Sequence, residues 1–110
     1  MLEALWSIEF FSGTGGFGSG VVVLETGRVL GGDAQYFYIG SYVVDNHKIN
    51  ATVKITHYAG QPITVFGQAS EVTINLTGTP APDSFEVIGS VAGIPQENIR
   101  IRFTRRAELP

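Results

Sequence analysis

The chain has 110 residues, 44% hydrophobic and 15% charged, with a formal net charge of -3 and no cysteine. These values fit one folded domain, residues 1–110, with enough core to stand without covalent staples. They exclude disulfides, zinc–thiolate sites, iron–sulfur clusters and a cysteine nucleophile, and the acidic balance argues against a general nucleic-acid binder.

Along the chain, polar and apolar residues alternate in short runs broken by glycine turns, the beat of strands with one dry and one wet face. The first predicted strand is Ala4–Phe11, with Trp6, Ile8 and Phe10 on one face. A glycine-rich turn, Ser12–Gly16, leads to Gly18–Glu25, dominated by Val21, Val22, Val23 and Leu24. Thr26-Gly27 forms a tight hairpin into a short strand, Arg28–Leu30, and Gly31-Gly32-Asp33 turns the chain again. Gln35–Val44 is rich in aromatic residues, which favour strands. Asp45-Asn46-His47 is a turn of side chains that bond their own backbone.

The cleanest alternation is in Lys48–Tyr58, where Ile49, Ala51, Val53 and Ile55 oppose Lys48, Asn50, Thr52, Lys54 and Thr56. Ala59–Ser70 reads as an irregular connection holding a brief element at Ile63–Phe66. Three strands follow: Glu71–Gly78, Ser84–Val91 and Ile99–Arg106. They are separated by the breakers Pro80 and Pro82 and by a loop over Ala92–Asn98. Short strands joined mainly by tight turns predict an all-β fold, a small eight-stranded antiparallel barrel in meander order, whose closure removes sheet edges. A two-sheet sandwich is the alternative, with Ala59–Ser70 as its cross-connection.

The N-terminal residues show no basic leader and the longest apolar run is Val21–Leu24, far short of the ~20 residues of a membrane span. The expectation is a cytoplasmic protein that enters no membrane.

Gly13-Thr14-Gly15-Gly16-Phe17-Gly18 matches the dinucleotide pattern G-x-G-x-x-G. That pattern needs a helix N-terminus to hold a pyrophosphate, and Val21-Val22-Val23 reads as strand, so the match is rejected. His47 sits beside Asp45 in a turn, and His57 continues the inward register near a barrel end. Neither is joined by a cluster of carboxylates, so no metal site, cofactor or catalytic set is expected. Arg100, Arg102, Arg105 and Arg106 form a basic cluster, read as a charged edge strand or a phosphate contact. Tyr36, Tyr38 and Tyr42 share one face opposite Phe37 and Ile39, and an outward tyrosine row is a candidate dimer surface. If Phe37 and Ile39 face outward instead, the case for an apolar interface strengthens.

Trp6-Ser7-Ile8-Glu9-Phe10, followed by Gly31-Gly32-Asp33, Tyr38 and Gly40, resembles the GrlR-like family, negative regulators of type III secretion. The resemblance runs from Leu5 through Tyr58 and more loosely to the last strand. It implies a lipocalin-like barrel, a homodimer, a bacterial regulatory partner captured by the protein, and an interior apolar enough for a lipid-like ligand. The family's acidic capture loop corresponds to Val44-Asp45-Asn46-His47, which keeps one acid. Asp45, Asn46 and His47 are therefore the candidate partner loop.

The leading expectation is a non-enzymatic protein that binds a protein partner. The alternative is an apolar small molecule held inside the barrel by Trp6, Phe10, Ile55, His57, Leu76, Val87 and Phe103. A third is an enzyme built on His57 at the barrel mouth.

Overall fold

The computed structural model of the chain describes residues 2–12, 17–60, 70–91 and 94–110. Among them all regular structure is β: β1 (Ala4–Ser12), β2 (Phe17–Glu25), β3 (Arg28–Gly32), β4 (Tyr36–Asp45), β5 (Lys48–His57), β6 (Glu71–Gly78), β7 (Ser84–Val91) and β8 (Ile94–Ala107). Each strand pairs antiparallel with the next, and β8 returns to β1, closing the barrel. The predicted meander barrel is the observed fold. The predicted Ile63–Phe66 element and most of the Ser12–Gly16 turn lie outside the described residues.

Alternation decides what is inside. Trp6, Ile8 and Phe10 of β1, Ile49, Val53 and Ile55 of β5, and Ile99, Ile101 and Phe103 of β8 are all buried. Trp6 is the hub at one end of the barrel. Its ring meets Phe85 edge-on at 5.1 Å and Phe103 at 6.1 Å, while Phe85 and Phe103 stack at 4.8 Å. The indole N–H donates to the Leu2 carbonyl at 2.8 Å, so the one polar atom of this side chain is satisfied.

The loop expected over Ala92–Asn98 is corrected: β8 begins at Ile94. Ser90 faces Asn98 while Val91 faces Ile94, so residues 95–97 bulge away from the ladder. A bulge spares Pro95 the backbone bond it cannot donate.

Gly31 and Gly32 do not form the turn expected of them; both lie in β3. A Cβ on Gly31 would stand 2.1 Å from the Val21 carbonyl oxygen and 2.7 Å from the Val22 Cα. Glycine is there to let two backbones approach closely. The turn begins at Asp33. Its carboxylate accepts the backbone N–H of Gln35 and of Tyr36, each at 2.8 Å, and the phenol of Tyr38. The Tyr58 phenol donates to the Asp33 carbonyl at 2.6 Å.

This knot has a consequence in alkali. Burial, then the hydrogen bond to Asp33 and its charge, drive the Tyr38 phenol far above its ordinary pKa of 10.0. Above that pH the unfolded phenol ionises while the folded one holds its proton. The stabilisation is therefore complete below pH 10.0 and declines above it, by about 1.4 kcal/mol per pH unit. Urea melts at pH 7 and pH 11 check this: Tyr38→Phe costs about 1–2 kcal/mol at pH 7, through the lost bond to a carboxylate, and flattens the alkaline decline.

Candidate functional site

Trp6, Phe10, Ile55, Leu76, Val87 and Phe103 all face inward and are buried, as their register requires. Their packing leaves an apolar void of about 30 Å³ between Ile8, Val53, Leu76 and Phe103. A drug-sized ligand needs ~300 Å³ or more. His57 closes this list at the barrel end where β5 runs out, half-buried, with its ring 5.3 Å from that of Tyr36. Its Nε2 lies 2.7 Å from the Gly60 carbonyl oxygen, an acceptor, so that nitrogen carries the proton and ties down the turn after β5.

The candidate partner loop sits at the opposite end, roughly 30 Å away along β5. Asp45, Asn46 and His47 are all exposed at the tip of the β4–β5 hairpin. Asn46 and His47 both take positive φ, 53° and 62°, which makes this a two-residue turn whose twist matches that of its strands.

The outward tyrosine row is corrected. Tyr36 is 0% and Tyr38 3% exposed, and Tyr42 also packs against the core. Burying the larger aromatic faces and bonding Tyr38 to Asp33 turns the other row of β4 outward. Phe37 is 41% and Ile39 51% exposed. The register extends this row sideways: Ile39 faces Leu30, Leu30 faces Val23, and Phe37 faces Gly32, which faces Val21. The result is a continuous apolar outer face over β2, β3 and β4. Tyr58 flanks Phe37 with ring centroids 6.2 Å apart and is anchored by its phenol to Asp33. Lys54 and Thr56, cross-strand from Ile39 and Phe37, form one polar border. Ser7 and Glu9 of β1, opposite Val21 and Ser19, form the other.

The barrel interior is apolar, and outside this face Val43 and Ile88 are also exposed apolar residues. Among the described residues no helix is long and apolar enough to cross a membrane.

The four arginines do not converge. Arg100 lies over the Phe11 ring at 6.0 Å, Arg102 pairs with Glu86 at 3.1 Å, and Arg106 donates to the Ser7 hydroxyl at 2.8 Å. Arg105 turns inward because it continues the two-residue period of Ile99, Ile101 and Phe103, paired with inward-facing Trp6. Its guanidinium stands 5.0 Å from the Trp6 ring and donates to the Pro82 carbonyl at 2.7 Å.

Beside it opens a cleft the sequence did not suggest, about 460 Å³ in volume. Leu2, Tyr42, Val44 and the Pro80-Ala81-Pro82 segment give it apolar walls, with Glu3, Thr26 and Gly27 at one side. Thr26 is held at φ 52°, a left-handed backbone that a β-branched residue rarely adopts. The Glu3 carboxylate holds it there, accepting the Thr26 backbone N–H at 2.8 Å. Burial raises the Tyr42 phenol pKa; a hydrogen bond from the Gly27 backbone opposes the rise and the Glu3 charge adds to it.

Among the described residues no three His, Asp or Glu side chains gather as a metal site. No protein-family model matches this chain, and no curated protein matches it.

Proposed function

We propose that this chain is a non-enzymatic interaction protein that binds a protein partner through the outer face of β2, β3 and β4. The observation that carries this reading is the exposure of Val21 on β2 and of Phe37 and Ile39 on β4, joined across β3 by half-buried Leu30 and bordered by polar residues. Water-exposed apolar side chains that adjoin one another mark interaction surfaces, whereas scattered ones do not. Phe37 and Tyr58 supply an aromatic centre, the residue type that dominates binding energy at such faces. Tyr58 is pre-organised by its bond to Asp33, which lowers the entropy lost on docking. The resemblance to GrlR-like negative regulators of type III secretion supports the same reading and adds its particulars, a homodimer and a captured regulatory protein.

The test is a double substitution, Phe37→Asp with Ile39→Asp, on the exposed side of a folded barrel. Wild type is expected to run as a dimer by light scattering, or to bring down a protein from native extract. The variant should melt as wild type does and lose at least about tenfold of that association, since two buried charges cost well over 1.4 kcal/mol. A wild type that stays monomeric and recovers nothing in any growth state would sink the reading. So would a double variant that binds as well as wild type.

A further inference from the structure

We infer that the cleft at the Trp6 end of the barrel, together with the open edge of β4 beside it, is a binding site for an extended peptide bearing apolar side chains and a basic one. This site is separate from the β2–β4 face and stands whether or not that face docks a partner.

Strand lengths create the edge. β4 runs Tyr36–Asp45, but its pairing with β3 ends at Ser41, opposite Arg28. Beyond that point, among the described residues, the Tyr42 N–H alone still finds a partner on this side, donating to the Gly27 carbonyl at 2.8 Å. In an antiparallel ladder successive residues alternate between bonding one neighbour and the other. Tyr42 bonds away from β5, so Val43 bonds toward β5 and Val44 away from it. The N–H and C=O of Val44 therefore point where β3 would have continued, and Val44 lines the cleft. A short strand end with open backbone groups is a template for another strand.

The cleft supplies what an added strand needs beyond backbone bonds. Its 460 Å³ accepts apolar side chains against Leu2, Tyr42 and the Pro80-Ala81-Pro82 wall. Two exposed carboxylates are placed to meet a basic residue, Glu3 at the cleft and Asp45 at the end of the open edge, while the cations at this end are engaged: Arg105 by the Pro82 carbonyl and the Trp6 ring, Arg28 by Glu25, and Lys48 by the Thr79 hydroxyl.

The site is also pre-formed. Trp6 holds the Leu2 carbonyl, Arg105 holds the Pro82 carbonyl, and Glu3 with Tyr42 holds the Thr26-Gly27 turn. Such a scaffold adds little ordering cost when a ligand arrives.

The probe is a displayed library of random heptapeptides, selected on the intact chain. Enriched peptides are expected to alternate apolar and polar residues and to carry Lys or Arg. Val44→Pro removes the open N–H without touching the β5 ladder, and proline is tolerated on an edge. It should weaken a selected synthetic peptide about tenfold, as should N-methylation of the peptide on alternate residues. Glu3→Gln should weaken it by about fivefold, the size of an exposed ion pair. Hydrogen exchange at the Val44 amide should slow when the peptide binds wild type, a reading that needs no variant to fold. Failure of any sequence to enrich overturns the proposal. Peptides that bind Val44→Pro and wild type alike, or leave Val44 exchange unchanged, overturn it too, because the cleft is then a side-chain pocket and not a strand site. The Phe37→Asp, Ile39→Asp double variant should bind the same peptides as wild type does, which separates this site from the proposed face.

Discussion

Trp6→Ala is expected to lower stability by about 3–5 kcal/mol, the cost of emptying a large aromatic site in a packed core. Trp6 is fully buried, touches both Phe85 and Phe103, and lies under the Arg105 guanidinium. Removing it strips both rings of their edge-on contact, leaving them only each other, and frees the Leu2 carbonyl from its donor. The surroundings cannot collapse to fill the gap, because Phe85 and Phe103 are fixed to neighbouring strands by the β7–β8 ladder. A domain of this size has only about 5–15 kcal/mol in hand, so the loss approaches half of it. Thermal melting followed by far-UV circular dichroism checks this, with an expected fall of about 15 °C. Fluorescence will not serve, since the chain has one tryptophan. Trp6→Phe keeps much of the volume and loses only the indole bond, so it should cost less than half as much. Equal losses for the two variants would show that the hydrogen bond, and not the packing, holds this end together.

Gly31→Ala is expected to be nearly as damaging, at about 3 kcal/mol, although it adds a single methyl group. The methyl would lie 2.1 Å from a carbonyl oxygen and 2.7 Å from a Cα, both backbone atoms of β2. A flexible side chain could swing clear, but the backbone is held on either side by ladder bonds from Val21–Gly32 to Glu25–Arg28. The only relief is to pry β2 from β3 where their backbones meet most closely at Gly31, and overpacking of this kind lies at the costly end of its range. A useful contrast is Ala51→Gly on the wall of β5, which should cost about 1 kcal/mol from strand entropy alone. Denaturant melts of the two variants separate close approach from mere chain flexibility. A Gly31→Ala protein as stable as wild type would mean that the two strands do not approach as closely as described.

Sequence reading succeeded wherever one side of a strand had to be dry. The alternation in Lys48–Tyr58 and Glu71–Gly78 named their inward residues, because a period of two admits one register with the apolar set buried. Tight turns were legible from Gly27 and Asn46, which take positive φ, a conformation that their residue types accept. The rejection of the glycine-rich nucleotide motif rested on a strand following it, and β2 begins at Phe17.

In Tyr36–Tyr42, by contrast, both rows are apolar or aromatic, so periodicity alone could not choose the inner one. The choice came from Asp33, whose carboxylate receives the Tyr38 phenol across the turn. The same limit applies to Gly31 and Gly32, whose residue types read as a turn although β2 presses against Gly31 and β4 against Gly32.

The cleft lay beyond reach for a different reason. Leu2, Tyr42 and the Pro80-Ala81-Pro82 segment come from three distant parts of the chain, and only barrel closure gathers them. Its open edge did leave a trace in the sequence, a short Arg28–Leu30 beside a long Gln35–Val44, since a strand cannot pair with residues its neighbour lacks.

What the amino-acid sequence determined by itself was local: which residues extend, which turn, and which side of most strands must avoid water. Which aromatic row of β4 points out, how little room the interior keeps, and where an unpaired edge meets an apolar cleft were decided only by the tertiary structure. Those features depend on contacts between residues far apart in the chain, and periodicity within a strand carries no information about them.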